Sequence, residues 1–444
     1  MSKETKKAGH KVPKLRFPEF RDAGEWRNKQ MDELYSFEGT NSLSRDKLNY
    51  ECGSVKNIHY GDIHIKFAPL FDIRNERVPF INLSEPIERI NSNNFCVEGD
   101  MIFADASENL DDIGKSIELV QLNDERLLSG SHTILARQND DNLVVGFGGH
   151  LFQATRIRTQ IKKEAQGAKI LGISPSRLSK IEVCYPSDKR EQQKIADCLS
   201  SIDELVTLET QKLDTLKAHK KGLMKQLFPT EGGTVPRLRF PEFREAGEWA
   251  EAKLGDTGKF TGGGTPNKEN ASYWEGNNPW ISSSDIFEDS VHDITISRFI
   301  SDEAVQKTAT KLVPANSILL VSRVGVGKLA ITKQPICTSQ DFTSFTPAKD
   351  DLVFMAYYLK SLKNTFLSFN QGMAIKGFTK EDVSSLEICF PQLREQQKIA
   401  DCLSFIDELI TAQAQKIDML IAHKKGLMQQ LFPCSESSVD VNHG

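Results

Sequence analysis

Between residues 190 and 229 apolar or boundary positions fall at Ile195, Leu199, Ile202, Val206, Glu209, Leu213, Leu216, Lys220, Leu223 and Leu227, in alternating steps of four and three. That spacing is a heptad seam and predicts one long helix with a partner. The same pattern returns at Ile399, Leu403, Ile406, Ile410, Gln413, Ile417, Leu420, Lys424, Leu427 and Leu431. Polar residues interrupt both seams at the same two places, a device that fixes register at some cost in stability. Each helix would be about 55 Å long at ~1.5 Å per residue, too long to bury itself in a small domain.

The two seams lie in near-copies. Residues 190–229 and 394–433 are identical at 31 of 40 positions, and "VPKLRFPEFRDAGEW" (12–26) returns as "VPRLRFPEFREAGEW" (235–249). Between the copies lie two segments, 27–189 and 250–393, whose sequences are almost unrelated except where "SKIEVCYP" (179–186) answers "SSLEICFP" (384–391). The duplicated parts therefore do one structural job twice, while the variable parts share a fold and do different jobs. Their lengths differ by nineteen residues, which surface loops absorb cheaply. The stretch "TEGGT" (230–234) is the linker between the halves.

Charge suggests how the helices pair. Residues 190–209 carry a net −3 and 210–229 a net +4; the second copy repeats the polarity with −2 and +2. Antiparallel pairing sets each acidic half beside a basic half, although acidic starts and basic ends also suit each helix's own dipole. A dumbbell with pseudo-twofold symmetry is the expected product.

Candidate chemistry is sparse. "SRVGVGKLA" (322–330) invites a nucleotide reading, but Ser322 stands where a P-loop needs its first glycine and Leu329 where it needs Ser or Thr. Gly325 and Gly327 are better read as a tight turn between strands. The strings "NNPW" (277–280) and "VGFGG" (145–149) match neither the catalytic loop nor the cofactor turn of an amino-methyltransferase, and no HExxH, GxSxG or deaminase signature is present. The nine histidines form no ligand-spaced set; His219 and His423 occupy equivalent helix positions and read as surface or inter-helix residues. Eight scattered cysteines without a CxxC pair indicate neither zinc nor a disulfide framework. No apolar run has transmembrane length and the polar start has no signal-peptide core, so a cytoplasmic protein is expected. A net charge of −5, with −4 on 27–189 and −2 on 250–393, does not advertise a polyanionic partner.

Two divergent domains alternating with near-identical helices, each helix entered by "REQQKIADCLS-x-IDEL", resemble the specificity subunit of type I restriction-modification systems. The resemblance covers essentially the whole chain. It implies an α+β architecture of two α/β target recognition domains separated by two long conserved helices in an antiparallel, pseudo-twofold coiled coil. Residues 1–189 would be the first recognition domain with its repeat element, 190–229 the first helix, 230–393 the second recognition domain, 394–433 the second helix and 434–444 a disordered tail. It implies no catalysis in this chain and no cofactor of its own. S-adenosylmethionine would be brought by two methyltransferase subunits that modify adenine N6. ATP and Mg2+ would come with restriction subunits, whose presence the sequence leaves open. Double-stranded DNA would be the other partner, each domain reading half of a split target while the helices set the spacing and dock the methyltransferases. The rival reading is a coiled-coil scaffold whose two heads hold ligands other than DNA.

On that resemblance the contact loops pair between domains. "VKNIHYGDI" (55–63) answers "NNPWISSSDI" (277–286), offering Lys56, His59 and Tyr60 against Ser282, Ser283 and Ser284. "SGSHT" (129–133), with Ser129, Ser131 and His132, answers "TSQDF" (338–342) with Gln340; "KILGI" (169–173), with Lys169, answers "AIKGF" (374–378) with Lys376. "MIFADASENLDDIGKSIEL" (101–119) answers "ILLVSRVGVGKLAIT" (318–332), in which Arg323 and Lys328 sit at the turn. Asp105, Asp111 and Asp112 replace much of that positive charge in the first domain.

Overall fold

The computed structural model describes residues 12–230, 232–369 and 377–433; Lys376 and the expected tail at 434–444 lie outside the described residues. The chain divides into two compact units, one made of residues up to 208 with those from 417 onward, the other of residues 209–416. Each unit thus takes one variable segment and half of each long helix. The helices run Lys189–Leu227 and Leu393–Leu431.

In the first unit a five-stranded sheet has the order Tyr35–Glu38, Thr133–Gln138, Met101–Ala104, Ser116–Gln121, Leu70–Asp72, and a four-stranded sheet the order Leu127–Ser129, Lys56–Ile58, Phe80–Ile81, Leu48–Asn49. The second unit has two four-stranded sheets: Gly258–Gly262, Thr343–Pro347, Ser317–Leu320, Leu329–Thr332, and Arg298–Ile300, Asn278–Ile281, Ile336–Thr338, Leu312–Val313. In each unit a four-stranded sheet contains a parallel pair, Lys56–Ile58 with Leu127–Ser129 and Asn278–Ile281 with Ile336–Thr338. The variable segments therefore share a fold. Continuously buried strands such as "MIFA" and "SILL" carry the core, as strands covered on both faces must.

The repeated elements hold each unit together in the same way. In the first, the Arg16 guanidinium makes a bidentate pair with Glu191 at 2.7 Å, and Trp26 Nε1 donates to the same carboxylate at 3.2 Å. In the second, Arg239 grips Glu395 with the same two bonds. Both carboxylates are only 1% exposed. The next residue anchors the variable segment: Gln192 accepts from Val144 N and donates to the carbonyls of Asn142 and Pro186, while Gln396 accepts from Asp351 N and donates to Pro391 O and Asp350. The repeat elements also reach the far end of the other helix, through Leu15 N to Gln430 O and Leu238 N to Gln226 O, both 2.9 Å. Trp26 meets Phe432 edge to face at 6.1 Å, and Phe228 stacks on Tyr358 at 5.2 Å.

Within each unit the start of one helix packs on the end of the other, so the pairing is antiparallel. Ile195 and Leu199 share a core with Leu431, and Ile399 and Leu403 share one with Leu227. Every seam residue, from Ile202, Val206, Leu213 and Leu216 to Ile406, Ile410, Ile417 and Leu420, is buried or half-buried. The polar interruptions find partners. Lys424 pairs with Asp203, Lys220 with Asp407, and Gln413 donates to the carbonyl and carboxylate of Glu209 at 2.9 and 2.6 Å. Tyr357 Oη adds a bond to Asp407 at 2.6 Å.

Breaking a buried ion pair from one side costs about 3–5 kcal/mol because the other charge stays buried. Arg239→Ala should accordingly lower the thermal midpoint sharply, whereas Arg239→Met combined with Glu395→Leu should recover most of the loss; equal midpoints for single and double variants would contradict the clamp. A second measurement concerns Glu118, which is buried beside the "GFGG" turn and accepts from Gly149 N at 2.6 Å. Burial pushes its carboxyl up to about 7, against partial relief from the Gly149 and Gly146 amides. A raised folded value favours the protonated form on folding, so this stability is full below the unfolded value near 4.5 and is lost as pH rises through 7. Glu118→Gln should therefore flatten the fall in melting temperature between about pH 4.5 and 7.

Candidate nucleic-acid interface

Backbone hydrogen bonds gather the four paired loops onto one place in each unit. In the first, Gly130 N donates to Ile58 O at 2.8 Å, Asp105 N to His132 O at 3.1 Å and Ile173 N to Asp105 O at 2.8 Å. A short ladder joins Leu171 to Ser107 and Gly172 to Ala106. In the second, Ser339 N donates to Ile281 O at 2.9 Å, Ser322 N to Asp341 O at 2.7 Å and Phe378 N to Ser322 O at 3.0 Å. Stretches tens of residues apart in sequence thus meet by the same connections in both units.

The first unit presents aromatic rings. His59 Nδ1 accepts from Gly61 N at 3.2 Å and caps the helix Tyr60–Ile65. Burial, aided by Arg45, lowers the imidazole's pKa, so the ring is neutral with its proton on Nε2, a hydrogen-bond donor. Tyr60 lies between His59 at 4.7 Å and His132 at 5.2 Å, and His132, left-handed at φ 58°, faces the Asp105 carboxylate at 3.3 Å. Ser131 is half-buried, and Lys169 is exposed beside Ile170. Two expected contacts are occupied elsewhere: Ser129 is buried with its hydroxyl on Thr133 at 2.6 Å, and Lys56 pairs with Glu125 at 2.5 Å over the Phe80 ring.

The second unit presents hydroxyls and cations. Ser282 and Asp285 form a capping box, Ser284 is exposed, and Ser283 is buried, facing the protein rather than the loop surface. Gln340 is exposed and accepts from Thr265 Oγ1. The turn of "SRVGVGK" joins the antiparallel strands Ser317–Leu320 and Leu329–Thr332, with Gly325 and Gly327 at φ 91° and 84°. Those left-handed values are what the glycines supply. Arg323 is exposed there and Lys328 half-buried.

Two arginines escaped sequence reading. Asp62 and Asp285 lie at one position of the aligned loops, and each is held by a cation: Arg45 at 3.1 Å in the first unit, and in the second Arg298, which also lies 4.6 Å over the Trp280 ring. Aligning "NIHYGDI" with "WISSSDI" exposes both carboxylates. Their partners sit 17 residues before one and 13 after the other, so no periodicity points to them.

Residues 25–218 and 246–420 match the family model of the type I restriction modification DNA specificity domain. The chain belongs to the type I restriction-modification specificity subunits. A protein assigned as the specificity subunit of the Methanocaldococcus jannaschii enzyme MjaX is 25% identical over 403 residues, 88% of each chain. The MjaIX specificity subunit of the same organism is 30% identical over 177 residues, which are 39% of this chain and 41% of that relative. The crystal structure of the S subunit from M. genitalium superimposes with a TM-score of 0.54 at 15% identity, over 95% of this chain and 99% of that one, a likeness of fold. This specificity subunit is non-catalytic, the role its family has in the complex. Among its described residues no cluster could hold a metal and no helix is long and apolar enough to cross a membrane.

Removing the carboxylate under the loop at 282–286 should loosen it. Asp285→Ala leaves Ser282 N without its acceptor, at a cost of about 1–3 kcal/mol. Amide exchange at 282–286 should accelerate while the Ser317–Leu320 strand stays protected.

Proposed function

We propose that the two variable domains of this specificity subunit each read one half of a split double-stranded DNA target. The paired helices, common to both, set the spacing and dock two methyltransferase subunits. The observation that carries this reading is the pair of loop clusters: the same three backbone connections in each unit, on near-identical frames, bearing His59, Tyr60 and His132 in one and Ser282, Ser284, Gln340 and Arg323 in the other. One frame with two chemistries suits two unlike half-sites. Serine and glutamine groups suit base edges, and an exposed arginine at a turn suits guanine O6 and N7 or a phosphate. Methyl transfer from S-adenosylmethionine to adenine N6 belongs to the methyltransferase partners; ATP and Mg2+ belong to restriction partners. Since both domains are net acidic, binding by the subunit alone is weak and gains strength in the complex.

Replacing residues 250–393 by the corresponding segment of a relative leaves both helices and both "LRFPEF" elements in place. Methylome mapping should show one half-site changed and the spacer constant; a change in both half-sites would overturn the reading. In the same assay Arg323→Ala should relax one base position at ~1–3 kcal/mol if it reads guanine, or weaken all sequences evenly if it holds phosphate.

A further inference from the structure

A groove of ≈ 1140 Å³ runs in the second unit between the C-terminal half of the first long helix and the segment 360–367. Its lining is strongly cationic. Lys217, Lys221, Lys225 and Arg237 all line it, and among the described residues none of the four has a carboxylate partner. Lys360 also lines it, held by Ser290 O at 3.0 Å, and burial with the nearby Lys220 brings its ammonium down to about 8. Against these stand Glu288, already paired with Lys363, and Asp289.

Two observations say what lies in it. The groove continues the reading surface of its own unit: a Cβ on Gly327, in the Arg323 turn, would come within 2.8 Å of the Lys363 side chain on the groove's rim. The second is an asymmetry between the two helices. Outside the Glu209/Gln413 pair, which meets face to face, the near-copies differ in charge at two positions: Lys217 answers Ile421, and Lys225 answers Gln429. Both of those lysines line the groove. A protein partner docked twice on the repeated frame has no use for charge on one copy alone. A ligand that differs between the units does, and in the DNA-reading function proposed above that ligand is the duplex.

We infer that the groove is a track for DNA backbone phosphates lying outside the half-site that the loops of this unit read. The inference rests on that DNA-reading function.

The test uses the complex of this subunit with its methyltransferase. Lys217→Ile with Lys225→Gln installs the residues of the other helix, so the frame tolerates them. The observed binding constant of a duplex carrying the target is followed against salt. Loss of two phosphate contacts should make the slope of log K against log[salt] shallower by roughly 2, at about 0.9 per contact, with the methylated sequence unchanged. Lys217→Arg with Lys225→Arg should keep the original slope. An unchanged slope in the Ile/Gln variant overturns the phosphate track while leaving the reading function intact. Failure of that variant to co-purify with methyltransferase also overturns it and makes the groove a protein dock. Absence of any target-specific binding by the unaltered complex counts against the reading function itself.

Discussion

A carboxylate buried in the first turn of each long helix organises everything around it. Glu191 and Glu395 are acceptable inside the protein because an arginine fork neutralises each of them. In the first unit an indole N–H adds a third bond. The arginine arrives from a repeat element that also bonds the last turn of the other helix, so one interaction fixes three chain segments. The adjacent glutamine then ties the variable domain to the same turn. Two consecutive residues of the "REQQ" signature thereby separate what must be constant from what is free to vary.

The helix pair solves a related problem. Seam leucines and isoleucines supply attraction without specifying register, since sliding by a heptad exchanges one apolar contact for another. Lys220 with Asp407 and Lys424 with Asp203 remove that freedom, and Gln413 on the Glu209 carbonyl marks the crossing. Their charges are the acidic-start, basic-end polarity visible in the sequence.

Repeat and heptad period made the frame legible: both operate over tens of residues, and the seam from Ile195 to Leu431 lies where its spacing put it. The loops were legible as positions, because the internal repeat aligns one domain with the other, but not as surfaces. Ser129 and Ser283 turn inward, Lys56 is neutralised by Glu125, and Arg45 and Arg298 come from outside the aligned stretches. Burial and pairing of a polar side chain depend on which strand crosses behind it, and single-sequence patterns do not carry that information. The basic groove is hidden in the same way within a chain of net negative charge.

The division of the units across the helix midpoints has a bearing on the order in which the molecule is built. The second unit is one unbroken stretch, 209–416, so all of its contacts are available once that stretch has left the ribosome. The first unit needs residues from 417 onward: Leu431 and Phe432 sit in the same core as Trp26, Phe147 and Leu199. Closing that core brings together segments some four hundred residues apart, the slow kind of contact in folding. Of the two units, the one begun first is therefore completed last, holding an open hydrophobic face until the second long helix has been synthesised and covers it.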